Sequence, residues 1–100
     1  MNRFFDDLGE RWVAAAKRRS AVIETPSLDA AVALELLELA RAAAHTQERR
    51  FAPLACYMAG VAAERLRAAK GSLDEAGVAA YILEVRQEVE KETPAAPNER

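Results

Sequence analysis

The side chains with chemistry to offer gather in residues 40–60, ARAAAHTQERRFAPLACYMAG, which hold the only His, the only Cys and a double Arg. Steps of three and four place Glu38, Arg41 and His45 along one stripe of a helix, and Arg49 continues it wherever the helix persists. Guanidinium groups clustered in this way bind phosphate oxygens bidentately. Arg41, His45, Arg49 and Arg50 are therefore a candidate contact for a nucleotide or pterin phosphate. The same four also read as a solvated helix face, with His45 near the C-terminal carbonyls and the arginines paired with Glu38 and Glu48. General-base work by His45 requires a positioned nucleophile or carboxylate, and no such constellation accompanies it.

Cys56 follows Pro53 in the first turn of a helical stretch, where the dipole favours thiolate; a cysteine on an uncharged helix is more often a small core residue. Tyr57 and Met58 stand at core spacing and read as packing. A single cysteine excludes an intrachain disulfide, and with a single histidine it cannot assemble a Cys/His zinc site. The acidic pairs Asp6-Asp7 and Asp74-Glu75 fall at helix starts, where carboxylates complement the dipole without a metal. Phosphate loops and zinc motifs are absent, so the sequence asks for no cofactor, no metal and no enzymatic activity. Lys17, Arg18 and Arg19 lack an interleaved aromatic platform, and the formal net charge is −2. No global field draws the chain to nucleic acid or an anionic membrane.

The elements that must position these residues are helical. One hundred residues, 51% hydrophobic and 30% charged, suit one globular domain over residues 1–92, followed by a disordered tail over 93–100. The acidic start of the chain and the lack of an 18-residue apolar run point to a soluble, cytoplasmic protein. The 3.6-residue period recurs in four segments and no strand-like alternation competes with it. The expected fold is all-α, a compact four-helix bundle, mostly antiparallel.

The first segment carries Phe4, Phe5, Leu8, Trp12 and Ile23 on one arc, an aromatic underside. Thr25 or Ser27 is expected to cap a second helix from about Leu28 to the His45 region, with Pro26 in its first turn. Val32, Ala33, Leu36, Leu37, Leu39, Ala40, Ala43 and Ala44 form its inner arc. Residues between Arg50 and Glu64 are uncharged, which predicts a third helix buried at the centre of the bundle. Gly71 stops that helix, and Ser72 with Glu75 forms a capping box for the fourth. Helix four has two stripes, Val78-Ile82-Val85-Val89 and Ala76-Ala79-Ala80-Leu83. The second suggests a homodimer.

From Leu36 to Gly60 the chain resembles a small bacterial domain family of unknown function that occurs alone or fused to molybdenum-cofactor guanylyltransferases. Leu36-Leu37, Leu39-Ala40-Arg41, Ala44-His45, Arg49, Ala52-Pro53-Leu54 and Gly60 carry the resemblance. Arg50 stands where the family usually has Pro, and Ala55-Cys56 where it has a hydroxyl pair. The resemblance implies an association with molybdopterin guanine dinucleotide biosynthesis through a partner protein, and no catalytic residues. A non-catalytic accessory domain is the expected function. The alternative is a small-ligand binder using the basic cluster.

Overall fold

The computed structural model describes residues 2–92, and the tail expected over 93–100 lies outside them. Four helices occur, α1 (Arg3–Arg18), α2 (Ala30–Thr46), α3 (Phe51–Lys70) and α4 (Glu75–Glu90), with no strand among the described residues. The chain is all-α, as its periodicity requires. It divides into two compact units, Met1–Ala30 and Ala31–Arg100.

In the first unit, Asp6 near the start of α1 and Lys17-Arg18 in its last turn match the helix dipole. Ser20 ends the helix in the left-handed region at φ 62°, while Ala21 N–H bonds Ala16 O and Ser20 N–H bonds Lys17 O. These are the paired bonds of a Schellman motif. Gly9 is the one buried residue of α1. A Cβ there would lie 2.5 Å from the Pro26 carbonyl oxygen, so the returning segment crosses the helix at a site that only glycine leaves open. The aromatic underside is corrected accordingly. Phe4 and Trp12 remain exposed, and Ile23 lies beyond the helix.

In the second unit, α2 packs against α3 and α4. It begins three residues after Ser27, so neither Thr25 nor Ser27 is its cap, and Pro26 precedes it. Val32 and Leu39 of α2, Ala63 of α3, and Val78 and Ile82 of α4 form the core, with Leu36, Ala55, Ala59, Leu73 and Ala79 packed against it. Ala42, Ala43 and Thr46 are also buried in α2, whereas Leu37 faces solvent. The Thr46 hydroxyl donates to Ala42 O at 2.8 Å, which explains how a polar side chain is tolerated there.

The short connections at 47–50 and 71–74 reverse the chain, so α3 runs antiparallel to its two neighbours. Arg86 of α4 donates through Nε and Nη2 to Glu35 Oε1 of α2, at 3.1 and 2.9 Å, and Gln47 reaches Glu92 at 3.3 Å. These contacts align α2 and α4 in one direction. On α4, Val78 and Ile82 are buried, Val85 is exposed, and the second stripe splits into half-buried Ala79 and Leu83 and exposed Ala76 and Ala80.

The central position expected for α3 is also corrected, since Ala63 is its only buried residue. Absence of charge along a helix signals burial only when its large side chains point inward. Here they do not.

Gly71 terminates α3 at φ 83°, as its position suggests. The cap of α4 lies two residues beyond Ser72: Asp74 Oδ1 accepts from Gly77 N–H at 2.8 Å. Leu73, just before the cap, packs on the core that contains Val78, the pairing of a hydrophobic staple. That apolar contact sets where the helix starts and leaves Ser72 outside it. Replacing Asp74 with Ala should cost ~1 kcal/mol, lowering Tm by about 4–8 °C, while Ser72→Ala should change stability by less than about 0.5 kcal/mol. Thermal unfolding of the two variants followed by circular dichroism checks this.

Candidate functional site

The end of α2 and the following turn bring Arg41, His45, Glu48 and Arg49 around one shallow, open depression. Arg41, His45 and Arg49 are exposed, and Glu48 is half-buried. Arg41 Nη2 lies 3.4 Å from Glu38 Oε2, one helical turn away. Arg50 pairs with Glu48 and does not line the depression. Of the four basic residues singled out in the sequence, the fold gathers three. It also sets a carboxylate among them, which offsets their charge toward an incoming phosphate.

Beside this depression, α3 has an inverted face. Three of its alanines turn inward: Ala63 is buried, and Ala55 and Ala59 pack on the core. Its large apolar residues turn outward, with Tyr57 75% exposed, Met58 71% and Leu54 61%. The expectation that Tyr57 and Met58 serve as packing is thereby corrected. Met58 also borders a groove of about 250 Å³ between α3 and α4, lined by Leu39, Tyr81, Ile82, Val85 and Val89. This groove carries almost no polar chemistry.

Cys56 stands on the flank of α3 that faces α2, half-buried, with its Sγ 3.6 Å from Leu36 O. Burial pushes its thiol above the ordinary value. A low-pKa nucleophile is therefore not what the helix start produces here, because desolvation of the thiolate acts against it. Among the described residues, no three His, Cys, Asp or Glu side chains converge in a way that could hold a metal ion. No helix among them is long and apolar enough to cross a membrane.

Domain of unknown function DUF6457 matches residues 6–97, nearly the whole chain. The chain belongs to this family. No curated protein and no solved structure matches it significantly. The DUF6457 match includes the basic depression and the whole of α3, so both surfaces belong to the family's domain rather than to an appendage.

Sequence reasoning missed the outward face of α3 because it read uncharged as buried. The signal was present in the spacing. Leu54, Tyr57, Met58 and Val61 share one side at about 100° per residue, and Ala55, Ala59 and Ala63 fall on the other. For Cys56, the raised thiol pKa means a smaller thiolate fraction near neutrality. Its alkylation by iodoacetamide at pH 7.5 should run slower than in the denaturant-unfolded chain, and the gap should narrow as pH rises through the raised value. The sign for stability follows: the contribution of the neutral buried thiol is fully present below the ordinary thiol range and is lost as pH rises through the folded pKa.

Proposed function

We propose that this DUF6457 domain is a non-catalytic protein-interaction module, acting in the reducing cytosol and serving molybdenum-cofactor maturation through a partner protein. The observation that carries the interaction reading is the inversion of α3, with three large apolar side chains outside and alanines inside. A helix whose role ends at holding its own bundle together places its large residues in the core. An exposed contiguous apolar patch marks a surface that another protein covers. The molybdenum setting is supported by the resemblance of residues 36–60 to domains fused to molybdenum-cofactor guanylyltransferases.

The phosphate-binding alternative has weaker support. Ligand sites are concave and converge a few polar groups on one point. Arg41, His45 and Arg49 instead lie exposed around an open surface, with Glu38 and Glu48 partnering nearby cations.

Titration calorimetry of the chain against a purified molybdenum-cofactor guanylyltransferase tests the proposal. Saturable binding is expected, weakened more than about tenfold, ~1.4 kcal/mol, by Tyr57→Asp and little changed by Arg49→Ala. GTP and inorganic phosphate should leave Tm unchanged. A Tm increase with GTP that His45→Ala and Arg49→Ala both abolish would overturn this reading in favour of a ligand binder.

A further inference from the structure

The groove between α3 and α4 reaches down to residues of the core. Alanines of α3 line one side, Ile82, Val85 and Val89 of α4 line the other, and Leu39 of α2 contributes to the wall. Its volume is about 250 Å³. An apolar cavity of about 150 Å³ is already large enough to take up benzene. Among the described side chains that line the groove, Tyr81 alone carries an oxygen or nitrogen. A water held there finds few hydrogen-bond partners, so an apolar group that displaces it gains free energy.

The groove does not end at Tyr81. Met58, Ala62 and Tyr81 also line a second depression, which carries the apolar track along α3 to Leu66 and Arg65. Arg65 is exposed, and no carboxylate lines either stretch. Among the described residues, the ion pairs on and beside α3 engage Arg50, Glu64 and Arg67 and leave Arg65 out. The depression at His45 has the opposite character, with Glu48 set among its cations. An apolar track that ends at an unopposed guanidinium suits a molecule with a long apolar body and one anionic end.

From this arrangement we propose that the track binds an aliphatic monocarboxylate, with its alkyl chain along the groove and its carboxylate at Arg65. The planar guanidinium fork matches a carboxylate with two parallel hydrogen bonds. Tyr81, which lines both stretches, adds a hydroxyl donor. From Tyr81 to Val89 the groove follows α4 for about 12 Å at 1.5 Å per residue, a length that suits a medium alkyl chain such as that of decanoate. A neutral hydrocarbon would leave the guanidinium unused, and a cationic amphiphile would meet like charge. The groove shares Met58, but neither Leu54 nor Tyr57, with the exposed face that carries the interaction reading. The inference therefore goes beyond that reading and does not rest on it.

Titration calorimetry with decanoate, kept below the concentration at which it forms micelles, tests the proposal. Saturable binding of one decanoate per chain is expected, and acetate, which lacks the chain, should give no heat. Decyltrimethylammonium, with the same tail and a positive head, should bind at least about tenfold more weakly, because it forfeits a charge-assisted pair. Arg65→Glu should reverse that preference, a change of selectivity that a purely structural effect would not produce. Val85→Phe, placed on a side chain already 43% exposed, should fill the groove and abolish binding of both amphiphiles while circular dichroism stays unchanged. Absence of decanoate binding overturns the proposal, as does binding that ignores Val85→Phe or that shows no preference between the two heads. If decanoate gives no heat while Val85→Phe weakens binding to the guanylyltransferase, the groove belongs to the protein partner and the carboxylate site is refuted. The interaction reading itself stands or falls separately, on Tyr57→Asp.

Discussion

The core of the helical unit is short of large side chains, and most of its other features follow from that shortage. Its buried apolar residues are Val32, Leu39, Val78 and Ile82 together with Ala42, Ala43 and Ala63. An alanine contributes only a fraction of the apolar area of a leucine, and each buried methylene is worth ~0.8 kcal/mol. On α3 the side that faces the core is built from Ala55, Ala59 and Ala63. The large residues of α3 stand outside that core, with Leu54, Tyr57 and Met58 each more than half exposed.

Polar contacts therefore carry part of the work of fixing the helices. Arg86 bridges α2 and α4 by donating two bonds to Glu35 and further bonds to Glu90 at 3.2 Å. The Glu35 hydrogen bonds, more than any other influence, hold its guanidinium still more firmly charged. Arg67 plays the matching part at the turn, reaching Leu73 O at 3.1 Å, Glu64 at 2.6 Å and Glu75 at 3.3 Å. The planar fork of arginine suits this, since one side chain orients several acceptors at once. Both arginines sit at positions where apolar packing alone would leave register loosely specified. No buried side-chain polar atom among the described residues lacks a partner.

Helix existence was legible in the sequence because it depends on period and punctuation, which are local. Gly71 ended α3 where its type demanded, and the acids at the starts of α1 and α4 fell where the dipole favours them. The cap of α4 was misplaced by two residues because Ser72 satisfies the local pattern, whereas Leu73 must reach the core, a tertiary demand. Gly9 gave no warning of its role, since the Pro26 carbonyl that occupies its missing side chain is far away in sequence. The candidate site was half legible. Spacing placed Arg41 and His45 on one stripe of α2, but α2 ends at Thr46 and Arg49 arrives by the turn, and spacing could not show that the surface is open or that Glu48 lies among them.

The basic residues and the outward face of α3 are usually weighed as competing surfaces, yet the start of α3 joins them. Sequences tend to satisfy local rules everywhere except where function requires otherwise. α3 breaks two such rules within a few residues: cations stand at its positive end, and its large apolar side chains avoid the core. A bound phosphate would account for the first departure and leave the second unexplained. An apolar partner alone would account for the second and leave the first. Glu48 already pairs with Arg50 at that helix start, so the first departure is answered within the chain. The residues that first suggested a phosphate site are thus balanced by carboxylates of their own chain, and the apolar face of α3 is the departure that stands by itself.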